Sequence, residues 1–387
     1  MTLLGTVLDH RSDQEPFVAR ISTNPNLPKP MRSTEALLLD DEGDGDYTGF
    51  RAVFVRHGDQ ATTPHIVLPP DLHYLGAEDV VRYNPHTGNF RALYRRSSPN
   101  NSLLVTERCN SKCLMCSQPP RDIDDSYVVD ALMEAIPLIS RATPAMGFTG
   151  GEITLLQDRF IGLLRATKNY LPDTRLDVLT NGRLLSYLQY AQKIADVGHP
   201  QLILCIPLYS DVDTLHDFVV QAKGAFDQTT RGIINLARVG VATEIRVVIH
   251  QQTYKRLPQL AEFIARNFPF VAHVALMGLE MTGFTKANLE ALWVDPVDYR
   301  SELSEAVEIL SCAGLHTSIY NHQLCLLPEY LWAFARQSIS DWKNIYMPEC
   351  DGCSKMRECG GFFASAPLRY SSNIKAFIDE GHRYAVK

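Results

Sequence analysis

A chain of 387 residues, 45% hydrophobic and 21% charged, can bury a sizeable core and has the composition of a globular enzyme. Its 44 acidic residues outnumber its 37 basic ones for a formal net charge of −7. No basic patch with interleaved aromatics offers a field for a phosphate backbone, which counts against nucleic acid as a partner. The first 15 residues show no basic segment ahead of an apolar stretch, and no uncharged apolar run approaches the ~20 residues of a membrane span. The expectation is therefore a cytoplasmic protein, with no membrane partner, whose nine cysteines stay reduced.

In chain order, residues 1–32 carry four prolines between positions 14 and 32 and predict an irregular arm. Residues 33–97 predict a small β-rich domain with short strands at 37–39, 50–55, 65–68, 80–83 and 90–94, the last two joined by a hairpin turn over 84–89. From Leu103 short apolar runs alternate with amphipathic segments, the signature of βα units around a parallel sheet. Strands are expected at 103–106, 146–149, 176–179, 202–207, 245–249 and 271–277, and helices at 127–140, 160–171, 184–197, 229–239 and 257–267. The fold class is thus α/β. Six such units over 98–315 make a partial barrel, with chemistry expected at the C-terminal strand ends. A seventh strand-like run at 316–320 opens an irregular C-terminal region, 316–387, that holds four cysteines.

Directly after the first barrel strand, Cys109-Asn110-Ser111-Lys112-Cys113-Leu114-Met115-Cys116 places three thiols within eight residues. Three thiolates can hold three irons of a [4Fe–4S] cluster and leave the fourth iron open. The competing readings are a structural zinc site, which needs a fourth ligand although no Cys or His lies between Cys116 and His199, and three unrelated core cysteines.

The spacing C-x3-C-x2-C on this loop resembles the signature of the radical S-adenosylmethionine (SAM) superfamily. That resemblance implies a (β/α)6 partial barrel whose cluster, on Cys109, Cys113 and Cys116, binds SAM and splits it reductively to methionine and a 5′-deoxyadenosyl radical. Thr149-Gly150-Gly151-Glu152 resembles the family's GGE motif, implying that Gly150, Gly151 and Glu152 receive the SAM ammonium. By the same resemblance Asn181, Ser210, Met277 and Met115 fall at cofactor positions, with Asn181 offered to ribose or carboxylate and Met277 to adenine. Arg246, in the fifth strand, is either a partner of the SAM carboxylate or a satisfied arginine of the barrel interior.

In the tail, Cys350, Cys353 and Cys359 follow C-x2-C-x5-C, with Cys325 upstream. Four thiols suit a complete iron–sulfur or zinc site. The tail resembles the twitch-type extensions of peptide-maturing radical SAM enzymes, which implies one auxiliary [4Fe–4S] cluster. Cys205 and Cys312 fit neither set and are expected to be structural thiols.

The run from Leu103 to Asn110, the β-rich leader and Ser340-Asp341-Trp342-Lys343-Asn344 together resemble the C-type radical SAM maturase of the His-Xaa-Ser peptide system. That resemblance implies a ribosomally made polypeptide substrate with His-Xaa-Ser repeats, a companion B-type maturase and a flavodoxin- or ferredoxin-type electron donor. Radical SAM modification of RNA and a non-catalytic iron–sulfur or zinc scaffold that delivers peptide are the other function classes.

Overall fold

The computed structural model describes residues 4–6, 14–59, 65–337 and 345–378. Two sheets organise them. The first runs through β1 (Leu4–Thr6), β2 (Phe17–Ser22), β3 (Glu35–Leu39), β4 (Val53–Val55), β5 (Ile66–Val67), β6 (Val80–Asn84) and β7 (Asn89–Tyr94), in the order β1-β7-β6-β2-β3-β4-β5. The stretch expected to be an irregular arm instead supplies β1 and the central β2. Its Phe-Val-Ala-Arg-Ile pattern, hidden among prolines, is buried between β3 and β6. Phe17, Phe54, Tyr83 and Phe90 meet edge-on at 5.4 to 6.0 Å and fill this small core.

The second sheet is all parallel and follows chain order: β8 (Asn101–Thr106), β9 (Ala145–Gly150), β10 (Arg175–Leu179), β11 (Leu202–Pro207), β12 (Ala242–Ile249), β13 (His273–Gly278), β14 (Thr317–Tyr320) and β15 (Ala335–Arg336). All six expected strands are present, and the same sheet runs on beyond them. The run at 316–320 does not leave the barrel but pairs with β13, and β15 adds two more residues in the same sense. β8 and β15 remain the unpaired edges, so the α/β sheet is an open, partial barrel.

The crossovers are α1 (Ser126–Ala135), α2 (Asp158–Tyr170), α3 (Leu188–Val197), α4 (Asp213–Val220), α5 (Ala225–Arg238) and α6 (Leu257–Asn267), then the short turns α7 (Phe284–Ala287) and α8 (Leu289–Leu292), and α9 (Arg300–Cys312). Period-two alternation gives each strand one face towards these helices: Leu176 and Val178, Leu204 and Ile206, Ile245 and Val247, all fully or nearly fully buried in the main core. Truncating one large member, Phe148, to Ala is expected to cost about 3–5 kcal/mol. The other face carries Asp177, Cys205, Glu244, Arg246 and Met277, so the concave side of the sheet is polar. No helix among the described residues is long and apolar enough to cross a membrane.

Candidate functional site: the barrel mouth and the tail thiols

The loop that leaves β8 has no helix or strand until α1, and its shape is imposed from outside. On one flank, Lys112 and Leu114 donate their amides to the carbonyls of Val220 and Val219 at the end of α4. On the other, Phe284 N–H donates to the Cys116 carbonyl (2.8 Å), the Thr285 hydroxyl to that of Met115 (3.2 Å) and the Asn288 amide to that of Leu114 (2.9 Å). From β10, Asn181 Nδ2 donates to Asn110 Oδ1 (2.6 Å), and Arg183 donates to the Asn110 carbonyl (2.6 Å) and Ser111 Oγ (3.1 Å).

The Gly150-Gly151 pair earns its place here by closeness to this loop. A Cβ on Gly150, whose φ is +142°, would lie 2.2 Å from the Thr106 carbonyl oxygen, and one on Gly151 would lie 2.1 Å from that of Arg108. Gly151 and Glu152 then donate their amides to those two carbonyls at 2.8 and 2.7 Å. Gly283, with φ of +53°, presses in the same way on the Cys116 carbonyl at 2.2 Å.

Glu152 is fully buried. One carboxylate oxygen accepts from the Thr154 amide (3.0 Å) and from the hydroxyls of Thr154 and Thr180, and the other accepts from the Asn181 amide (2.6 Å). It thus brackets the ends of β9 and β10 together, with its acceptor positions largely filled by the protein. Asn181 likewise spends its side chain on Asn110 and on the Arg183 amide. Ser210 Oγ accepts from the Val212 amide, and its neighbour Asp211 pairs with Arg256. Arg246 stands level with Pro207, the last residue of β11, and donates Nε to Glu244, whose other oxygen meets His273 Nδ1 at 2.7 Å. That makes Arg246 a paired arginine of the concave face. Met115 packs with Tyr209, Val219 and Val220 beside Val248 and Leu279, and Met277 lies in register with Tyr320.

The three mouth thiols face one another electrostatically. Burial pushes the Cys109 thiol up to about 11 and Cys113 up to about 12, with neighbouring thiol charge adding to both; burial also raises Cys116. Three crowded thiolates are unstable here unless a cation carries them, which is the requirement an iron cluster meets. Residues such as Thr285, Asn288 and Arg183 hold the loop but were not expected from sequence. Only Arg183, adjoining Asn181-Gly182, sat near a recognisable motif.

The four tail cysteines also converge. Cys325, Cys350, Cys353 and Cys359 line one cavity of about 300 Å³ together with Tyr346 and Phe377. The antiparallel bridge Ile345–Phe362 closes the loop that carries three of them. Phe377 N–H donates to Cys353 Sγ (3.4 Å), and the Lys375 amide donates to the Cys325 sulfur. Burial raises the Cys325 and Cys350 thiols, and the neighbouring sulfurs add to it. Among the described residues, no three His, Cys, Asp or Glu side chains sit at the spacing of a single metal ion. Cys205 is buried on β11 and Cys312 is exposed at the end of α9, apart from both sets. The segment Ser340 to Asn344 lies outside the described residues.

Residues 103–264 match the family model of the radical SAM superfamily. The chain carries a radical SAM domain. Domains of this kind use a [4Fe–4S] cluster and SAM, and Cys109, Cys113 and Cys116, on the clamped loop, are the residues that fit the cluster. Among similar proteins are the Fe-coproporphyrin III synthase of Methanosarcina barkeri, 27% identical over 41% of this chain and 39% of that protein, and the pre-heme d1 synthase of Dinoroseobacter shibae, 26% identical over 40% and 38%. The chain thus spans about two fifths of the length of these relatives. Streptococcus suis SuiB bound to S-adenosylmethionine is similar in structure, with a TM-score of 0.46 and 19% identity over 59% of this chain and 52% of that one.

Proposed function

We propose that this radical SAM enzyme is a peptide maturase. It takes a ribosomally made polypeptide with His-Xaa-Ser repeats and closes a new bond in it after hydrogen abstraction. The observation that carries this reading is the second thiol set. Four cysteines around their own cavity suit an auxiliary [4Fe–4S] cluster, and such a group is of use where a substrate must lose electrons as well as a hydrogen atom. When bound, the mouth cluster supplies the electron that splits SAM, and a tail cluster supplies an acceptor for one released by the substrate.

The chain's own residues do the rest. Gly150, Gly151 and the Glu152 bracket hold the cysteine loop against β9, leaving backbone at the mouth for the SAM ammonium. Met115, Tyr209 and Leu279 form an apolar wall there that keeps water from a reactive radical. Asn181, Ser210 and Met277, at or near the strand ends, complete the proposed cofactor contacts, while Arg246, within β12, is paired with Glu244. A companion B-type maturase and a flavodoxin- or ferredoxin-type donor belong to this reading.

The test is direct. Anaerobic, iron-loaded enzyme with SAM, reductant and a His-Xaa-Ser repeat peptide should form more 5′-deoxyadenosine than without peptide, and the peptide should lose about 2 Da per modified site. Deuterium at the reacting carbon should appear in 5′-deoxyadenosine. Absence of both stimulation and mass change would end the peptide reading and return RNA to consideration.

A further inference from the structure

A second cavity opens where β12, β13 and β14 end and the tail folds back over them. Two lining residues set its place. Leu279 also packs beside Met115 next to the cysteine loop, and Gln323 also lines the tail-thiol cavity. The cavity therefore lies between the two sulfur sites.

Its walls mix aliphatic side chains, Ile249, Met281 and Val294 among them, with rings, and two of the rings have their polar ends occupied elsewhere. Tyr299 shares its hydroxyl with His322 at 2.8 Å, and Tyr370 donates its own to Glu349 at 3.0 Å. Trp293 is covered on one side by the Arg369 guanidinium, 4.4 Å from the ring centre. Arg369 is itself paired with Glu290 at 2.7 Å, so it brings no net charge. Phe362 and Phe363 complete the aromatic lining.

Two side-chain amides remain, and their orientation is forced. Gln323 Nε2 donates to the Gly361 carbonyl (2.8 Å) and Asn321 Nδ2 to that of Gly278 (3.2 Å). A carbonyl can only accept, so each amide places its nitrogen on backbone and keeps its oxygen as an acceptor, with the second N–H of the same group left beside it. Aromatic walls favour a flat ring packed face or edge on, and the two oxygens call for a hydrogen-bond donor on it.

We propose that this cavity is the specificity pocket for a planar ring bearing an N–H, imidazole or indole, presented by a substrate peptide. The inference rests on the peptide reading above and narrows it to one kind of side chain. Asn321 and Gln323 select the N–H, while Trp293 and its neighbours select the ring.

The test uses SAM-bound full-length enzyme and four end-labelled peptides, identical except for His, Trp, Phe or Leu at the histidine of one His-Xaa-Ser repeat. Fluorescence anisotropy gives each dissociation constant. Wild type should bind the His or the Trp peptide roughly three- to tenfold more tightly than the Phe peptide, the worth of one neutral hydrogen bond, and the Phe peptide more tightly than the Leu peptide. Asn321 has a left-handed backbone, φ +61°, so Asn321→Gly removes the amide without straining the chain. It should bring the His and Trp peptides down towards Phe and leave Leu alone. Trp293→Leu should bring all three ring peptides towards Leu, and thermal melting will show whether that variant is folded. Peptides bound and modified with no ring preference, or a preference that survives both substitutions, would overturn this pocket and spare the peptide reading. Wild type that binds none of the four would overturn both.

Discussion

The two cysteine sites hold their thiols in opposite ways. At the mouth, the irregular loop 107–125 is clamped by Val219 and Val220 on one side, by Phe284, Thr285 and Asn288 on the other, and by Gly151 beneath. In the tail, Cys325 and Cys350 sit in three-residue helical turns, and the loop is tied down by the two-residue bridge Ile345–Phe362 and by side-chain bonds from Gln323 to Gly361 and from Tyr346 to Met356. The tail cavity is lined by the four thiols and by residues of the same irregular segment, among them Tyr346, Met356 and Phe377. The mouth site is thus preorganised by the barrel, whereas the tail site is held within an irregular segment by short loop contacts, so the proposed metal there would contribute more to its order. A reaction centre must have its geometry before substrate arrives, and a supporting cluster can be assembled with its own fold.

The strongest way to break this contrast is to remove ligands from each site. Cys109→Ala, Cys113→Ala or Cys116→Ala should each abolish 5′-deoxyadenosine formation while leaving the melting temperature of the barrel nearly unchanged, because the clamps are made by backbone and by other side chains. A variant that still cleaves SAM at full rate would refute the assignment of the mouth. Cys350→Ala or Cys353→Ala should lower iron by about four atoms per chain and make the tail markedly easier for a protease to cut, with SAM cleavage surviving. Tail cutting unchanged in the metal-stripped protein, or zinc in place of the missing iron, would erase the distinction drawn here.

The same contrast explains what was legible in the sequence. Cysteine spacing and strand-ending glycines are local signals, so the mouth motif and the six expected barrel strands could be read from residue order. β2 could not, because its apolar run is flanked by prolines and becomes a strand only through pairing with β3 and β6. β14 was visible as a strand, but nothing local says that it adds to the barrel edge. Glu152 stood out as a ligand residue, and its bracketing of Thr180 and Asn181 depends on a contact across 28 and 29 positions. Thr285 and Asn288, more than 160 residues from the loop they hold, carry no motif.

Glu152 also separates scaffold from ligand contact at the mouth. Glu152→Ala leaves the Asn181 amide and two buried threonine hydroxyls without their acceptor, which should cost about 3 kcal/mol or more of stability. Urea unfolding measures that loss. If stability stays at the wild-type level while SAM binding alone weakens, the carboxylate serves the ligand and does not bracket the strands.

The smallest effect concerns acid. Burial holds His216 and His250, which flank Tyr209 under the cysteine loop, down to about 4, and His322, under the tail pocket, to about 4 as well. In the unfolded chain each would titrate near 6.5, so between those values the unfolded state binds more protons. The stability these neutral imidazoles confer is present in full above about pH 6.5 and declines as pH falls towards 4, by at most about 1.4 kcal/mol per pH unit for each histidine. His216 accepts the Tyr209 amide through Nδ1 at 3.2 Å, a bond that an asparagine oxygen can replace. His216→Asn should therefore reduce the pH slope of urea-unfolding stability between about pH 6 and 5 by up to one proton's worth, with little change near pH 8. A slope unchanged in that variant would mean that His216 titrates normally, and that the packing beneath the mouth loop is looser than the clamps around it imply.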